Sequence, residues 1–166
     1  MSSIVHMVLK YHRADYKRLS DEESVAAGVR KVAPTPGLYF VPHAEMSQLK
    51  DPAVVKRFTD GPVAMLTVLR NGPPAMGKNL AQWFLLCLLV SFTVAYIARH
   101  TLSPDSPGLE VMRITGAVAF AAYGFGYLQD SIWKGIPWSN SLRGLLDAAL
   151  YALTTGLVFR WLWPGA

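Results

Sequence analysis

Residues 79–98 read NLAQWFLLCLLVSFTVAYIA, twenty residues without a charged side chain. An α-helix of that length is about 30 Å long, which is the thickness of the hydrocarbon core of a bilayer. Lys78 precedes the segment, and Arg99 and His100 follow it, at the positions where basic side chains reach the lipid headgroups. The sequence therefore predicts a membrane-spanning helix over about 79–99.

Two further apolar segments follow the first. One covers about 109–133, after the sequence TLSPDSPG, whose prolines and glycine end a helix. The other covers about 139–163 and is bracketed by Trp138 and Trp163, as expected for aromatic residues at a membrane interface. The predicted fold class is therefore mainly α and integral membrane, with residues 79–166 forming a domain of three transmembrane helices.

The composition of the 166 residues agrees with a membrane protein and excludes several other classes. Only 16% of the residues are charged, against about 25% in soluble domains. The net charge is +5, but the basic residues form no stripe, so nucleic acid is not an expected partner. The single cysteine excludes a disulfide framework, and with four scattered histidines no metal site is predicted.

The positions of the basic residues predict an orientation. Arg70 and Lys78 precede the first span, and Lys134 and Arg143 flank the connection between the second and third. Basic residues near spans are retained on the cytoplasmic side. We therefore expect the amino-terminal region to be cytoplasmic and the carboxyl terminus to lie outside. Residues 1–10 lack the basic start of a cleavable signal peptide, so none is expected.

The first 78 residues predict a small α+β cytoplasmic cap that follows an amphipathic amino-terminal segment. Ser20 and Glu23 have the spacing of a capping box, so a helix should begin there. Residues 37–43 and 62–70 are apolar runs bounded by glycine and proline, which is typical of short strands. Between them, AspPro at 51–52 predicts the start of a second helix.

Residues 1–12 contain the apolar run IVHMVL, which is too short to span a membrane and predicts an interfacial segment or half a helix. Five strings, HMVLKYHRADYKRL, PTPGLYFVPH, GPVAML, MGKNLAQWF and SIWKGIPWS, resemble a family of uncharacterised bacterial inner-membrane proteins over nearly the whole chain. The resemblance implies the bacterial inner membrane and a longer apolar segment before HMVLKYH. We therefore expect a fourth, shortened span at the amino terminus, or its loss through the choice of start codon. No activity is implied.

Each acidic residue near the second and third spans has a basic neighbour three or four residues away on the same helix face. This spacing predicts structural ion pairs near the helix ends, and a proton or ion path is the alternative. The predicted pairs are Glu110 with Arg113, Asp130 with Lys134, and Arg143 with Asp147.

The second span carries two opposite edges of small residues, which let helix backbones approach closely. This span should therefore be central, with one neighbour on each edge. The edges are Ala117, Ala121 and Gly124 on one side and Ala119, Ala122 and Gly126 on the other. Between them lies an aromatic strip of Phe120, Tyr123 and Tyr127, a candidate interface with another subunit or a cofactor. The alternative is an interfacial Tyr127 and an internally bonded Tyr123.

No motif for catalysis is present, so no catalytic residue is assigned. The sequence contains no nucleophile elbow, phosphate loop or dinucleotide fingerprint, and Cys87 would be protonated and inert at mid-span. No span has a histidine at its centre, so haem is not expected, whereas lipid, quinone or pigment contact stays open.

Two functional hypotheses follow. The first is a non-catalytic accessory or structural subunit, or an assembly factor, of a larger bacterial membrane complex of respiratory or photosynthetic type. The alternative is a small membrane enzyme or carrier that binds a lipid-soluble ligand such as a quinone between cap and membrane. That site would use His43, Glu45, or Asp130 with Lys134.

Overall fold

The computed structural model describes residues 10–32 and 35–165 and divides the chain into two compact units. One unit combines the chain before Lys17 with the chain after Pro74, and the other covers Lys17–Pro74. The smaller unit is therefore shorter at both ends than the predicted region 1–78, which joined the amino-terminal segment to the cap. Residues 10–16 belong with the larger unit because the side chains of Tyr11, His12 and Asp15 bond to residues of its last helix. Most of the predicted interfacial or fourth-span segment lies in residues 1–9, outside the described residues.

The smaller unit contains two helices and two strands. Strands β1 and β2 pair antiparallel, with Gly37 opposite Val68, as the two apolar runs predict. The second helix begins at Pro52, as predicted, and Asp51 caps it by accepting a hydrogen bond from the backbone amide of Ala53 at 2.8 Å. The elements are α1 (Glu22–Val32), β1 (Gly37–Val41), a 3₁₀ turn (Met46–Gln48), α2 (Pro52–Asp60) and β2 (Ala64–Val68).

The cap of α1 differs from the prediction. The helix begins at Glu22, and the side chain of Asp21 accepts from the backbone amide of Ser24 at 2.9 Å. Asp21 therefore does what was expected of Ser20. A carboxylate is a strong acceptor that also favours the positive end of the helix dipole, and Asp21 stands immediately before the first turn.

Three helices of the larger unit are long and apolar enough to cross a membrane, which confirms the three predicted spans. They are α3 (Met76–Thr101), α4 (Gly108–Lys134) and α5 (Trp138–Leu162). Helix α4 ends because Gly135 takes a left-handed conformation with φ of 65°, and its amide bonds back to the carbonyl of Asp130. A 3₁₀ turn over Lys10–Ala14 belongs to the same unit.

Helix α4 contacts both other spans, as expected of the central helix, but packs far more extensively on α5 than on α3. Helix α5 buries a small residue at every fourth position, and these residues let the two backbones approach. One such close contact lies at Gly124, where an added Cβ would lie 3.2 Å from the Cβ of Ala148. The buried small residues of α5 are Gly144, Ala148, Ala152 and Gly156.

The two predicted small-residue edges of α4 are only partly correct. Ala119 and Gly124 are buried and Ala121 is half-buried, whereas Ala117, Ala122 and Gly126 are exposed. Helix α3 meets α4 through large side chains, because Val90 and Val94 pack against Ala119. Of the second predicted edge, Ala119 therefore contacts α3, whereas Ala122 and Gly126 stay exposed.

Candidate functional site

A buried carboxylate marks the candidate site. Asp147 is 2% exposed and lies nine residues beyond Trp138, about 14 Å along α5. The 3₁₀ turn Lys10–Ala14 reaches it: Nε2 of His12 lies 2.8 Å from its Oδ2, and the Tyr11 hydroxyl donates to its Oδ1. Buried charges of this kind are tolerated when they are paired and hydrogen-bonded.

The same histidine contacts a second carboxylate. Its Nδ1 lies 2.5 Å from Oδ2 of Asp15, whose Oδ1 accepts from Nη1 of Arg143 at 2.7 Å. Asn140 donates to the backbone carbonyl of Asp15 at 3.0 Å, which fixes the chain where it leaves the turn. Tyr11, His12, Asp15, Arg143 and Asp147 are called the His12 network below.

The His12 network is balanced in charge when His12 is protonated. An imidazolium donates from both ring nitrogens, so it bonds to Asp15 and Asp147 at the same time. The second cation is Arg143, which neutralises Asp15. Two carboxylates and two cations therefore cancel, and this balance is required of an ionic network that lies mostly out of water.

The electrostatics of the turn favour this ionic state. Burial alone would lower the pKa of His12, but the hydrogen bonds to Asp15 and Asp147 outweigh it and raise the pKa above its ordinary value. Burial raises the pKa of Asp15, whereas the hydrogen bonds from His12 and Arg143 lower it, and the net pKa is below the ordinary value. The pKa of the Tyr11 hydroxyl is raised by burial and by Asp147, so it stays a donor.

Of the three predicted ion pairs, one is present. Lys134 lies 2.6 Å from Asp130, as predicted. The Arg143 and Asp147 pair is wrong, because Arg143 bonds to Asp15 while Asp147 faces the turn.

The Glu110 and Arg113 pair is not formed either: within the part of the chain that the structure describes, no ion pair of 4.0 Å or less joins them. Both side chains are exposed.

Sequence reasoning missed Tyr11, His12 and Asp15 as site residues. The available signal was a run of polar side chains directly after an apolar strip. Their partner Asp147 is 135 residues away from His12, and no spacing rule covers that separation.

Two cavities lie near the network, and only the larger of the two is lined by its residues. One, of about 510 Å³, is lined by His12, Asp15 and Asp147. The other, of about 330 Å³, is lined mainly by aromatic and small side chains, including Trp83. Tyr127 and Asp130 line both, so the cavities meet at these two residues. Their volumes lie in the range of small-molecule sites.

Two of the three residues of the predicted aromatic strip, Phe120 and Tyr123, pack against other residues of this chain. The ring of Tyr123 lies 6.2 Å from that of Trp83 and 5.4 Å from that of Tyr151, and Phe120 packs on the core between the helices. Tyr127 is 38% exposed and borders the cavities. Contact of this strip with another subunit or a cofactor stays a prediction.

Two further candidate residues belong to a different unit from the His12 network. His43 and Glu45 belong to the smaller unit, where the His43 carbonyl accepts from Arg57 at 3.0 Å and Glu45 begins the turn Met46–Gln48. Among residues 10–32 and 35–165, no three metal-ligating side chains form a group that could hold an ion. No family model, curated protein or solved structure matches the chain.

Proposed function

We propose that the chain is a non-catalytic accessory or structural subunit, or an assembly factor, of a larger bacterial membrane complex. The closure of the His12 network carries this proposal. Both ring nitrogens of His12 contact carboxylates, and each carboxylate has a further donor, Tyr11 or Arg143. A general base needs a lone pair within reach of the substrate proton. Arranged in this way, the network is suited to fastening the turn to α5.

The uncovered face of α3 supports an associating role. Only Val90, Val94 and Ala98 are buried along this helix, and most of its other large apolar side chains are exposed. Helices in membranes associate through such faces by close packing. Complexes of respiratory or photosynthetic type contain small helical subunits of this kind and are the proposed setting. The exposed side chains include Leu80, Phe84, Leu85, Leu89 and Phe92.

Copurification tests the proposal. The tagged full chain, extracted from its native membrane in mild detergent, should run in one stable complex with other proteins in fixed ratio. Phe92→Ala, on the uncovered face at 70% exposure, should release the partners without lowering the chain's own melting temperature. Val94→Ala, 1% exposed, should lower that temperature. A homo-oligomer free of other proteins would reject the subunit role and favour the small enzyme or carrier.

The proposed location is the bacterial inner membrane, with the amino-terminal region and the connection between α4 and α5 in the cytoplasm. Lys134 and Arg143 at that connection support this orientation through the positive-inside rule. A topology reporter fused after residue 166 should report an external position, and one inserted at 135–137 a cytoplasmic position. The opposite pair of results would refute the orientation.

A further inference from the structure

We propose that the two adjoining cavities form one cleft for an uncharged, flat-ringed molecule that dissolves in the membrane and carries carbonyl or hydroxyl oxygens. Quinones and quinols belong to this chemical class. The proposal goes beyond the subunit role and concerns this chain alone, so it holds or fails independently of any partner protein. The cleft is defined here as the two cavities that share Tyr127 and Asp130.

The apolar end of the cleft has an aromatic wall made by all three spans. Trp83 of α3 lies 6.0 Å from Tyr151 of α5 and 6.2 Å from Tyr123 of α4, measured between ring centroids. Aromatic rings pair favourably at separations of 4.5–7 Å, and a planar ligand ring would add to this group in the same way. Ala122 and Gly126 leave room beside the rings, since a Cβ on Gly126 would meet nothing within 4 Å.

The polar end of the cleft offers hydrogen-bonding groups to a ligand oxygen. In the described portion of the chain, the hydroxyl of Tyr127 bonds to no other residue, although its backbone carbonyl accepts from Ser141. Lipid tails provide no acceptor for such a hydroxyl. Asp130 is bonded to Lys134 and keeps further acceptor capacity, so it can receive a ligand hydroxyl while Tyr127 donates to a carbonyl.

The charges around the cleft favour an uncharged ligand. Asp130 is neutralised by Lys134, and Asp15 and Asp147 are neutralised within the His12 network. A cationic or anionic ligand would therefore enter without a counter-charge and lose its hydration. An uncharged ring with polar oxygens loses little and gains both the aromatic wall and the polar end.

Binding of a short-tailed quinone tests the inference. The probe is a benzoquinone with a ten-carbon tail, added to the purified full chain and measured as retention above that of protein-free micelles. Saturable binding of one quinone per chain is expected. Decanol, which has the same tail and no ring, should compete at least tenfold less well. Equal competition by decanol would mean that an acyl chain fills the cleft, and it would overturn the proposal, as would retention that does not saturate.

Three variants locate the binding. Ala122→Leu fills the apolar end and should reduce affinity at least tenfold, whereas Ala117→Leu, on an exposed position of the same helix away from the cleft, should leave it unchanged. Tyr127→Phe removes only the hydroxyl and should weaken binding about threefold to tenfold. Because that hydroxyl has no partner among residues 10–32 and 35–165, this variant should keep its fold and test the site even if Ala122→Leu does not. Wild-type affinity in Tyr127→Phe and Ala122→Leu would refute the assignment.

Discussion

Replacing Asp147 with asparagine should destabilise the larger unit by about 3 kcal/mol, because removal of one partner from a buried ionic pair leaves the other uncompensated. The carboxylate is 2% exposed and accepts from both Tyr11 and His12. Asparagine keeps one carbonyl acceptor but presents its amide to the other donor. The loss should appear as a lower melting temperature of the purified protein in detergent and as reduced expression.

Asp130→Asn is the matched control. The substitution is the same, but the side chain of Asp130 is 42% exposed and its partner Lys134 is 50% exposed. Exposed pairs contribute about 0–1 kcal/mol, so the control should change stability by no more than that. Equal losses in the two variants would contradict a special role of the His12 network. A lost function in Asp147→Asn at normal stability would assign Asp147 a functional role instead.

The pH dependence of stability provides a second test with the Asp147→Asn variant. The folded pKa of His12 is raised above 6.5, so its contribution is full below pH 6.5 and is lost as the pH rises through the folded value. The folded pKa of Asp15 is lowered below 3.8, so its contribution is present above pH 3.8 and is lost as the pH falls through the folded value. Tyr11 stays protonated throughout, because its pKa is raised above 10.0.

These two groups together place the highest stability between pH 3.8 and 6.5. Thermal unfolding of the wild type should therefore show a decline on the alkaline side of this window. In Asp147→Asn one of the two carboxylates that raise the pKa of His12 is gone, so the alkaline decline should be smaller. An identical decline in both proteins would show that His12 does not act through Asp147.

Adding a methyl group at Gly144 or Gly156 should destabilise the packing of α4 on α5 by about 1–3 kcal/mol in each case. A Cβ at Gly144 would lie 2.6 Å from the ring of Tyr127, near the base of that side chain. At Gly156 it would lie 2.9 Å from the backbone carbonyl of Met112. Neither neighbour can withdraw without moving a helix.

Gly126→Ala provides the control for the Gly144→Ala and Gly156→Ala variants. A Cβ there meets nothing within 4 Å, so the substitution should be neutral or should stabilise the helix by up to about 1 kcal/mol. The measurement is the melting temperature of the three alanine variants, recorded in the same detergent. If Gly126→Ala were as harmful as Gly144→Ala, the effect would come from the helix itself and not from the contact between helices.

The three spans were predictable because the bilayer imposes a length and excludes charge, and both constraints are visible in 79–98. The local turns were predictable for a similar reason: the cap at Asp51 involves neighbours in the chain. The network at Asp147 was not predictable from the sequence. Spacing rules assign Arg143 to Asp147 because they consider only one helix, whereas the turn at Tyr11 and His12 offered Asp147 donors from elsewhere in the fold.

The contacts between the helices show a second limit of prediction from the sequence. Small residues on α4 suggested two contact edges, yet a membrane helix can turn an alanine or glycine toward lipid or a cavity with no loss of hydrophobic stabilisation, as Ala117 and Gly126 do. A small residue indicates a helix contact only when the residues of the facing helix are known. Here the facing residues are the buried Ala148 and Ala152 of α5, whose regular spacing was the stronger signal.

The His12 network also sets an order for biosynthesis. It joins residues 11–15, which the ribosome makes early, to Arg143 and Asp147 on the last span, which it makes late. Asp147 must enter the bilayer before its partners dock, and a lone aspartate at a helix centre costs about 3 kcal/mol on insertion. Residues 11–15 therefore stay unbonded to α5 until that helix has been made. A chain that ends before α5 thus leaves Tyr11 and His12 without Asp147, and this chemical difference distinguishes incomplete molecules from complete ones.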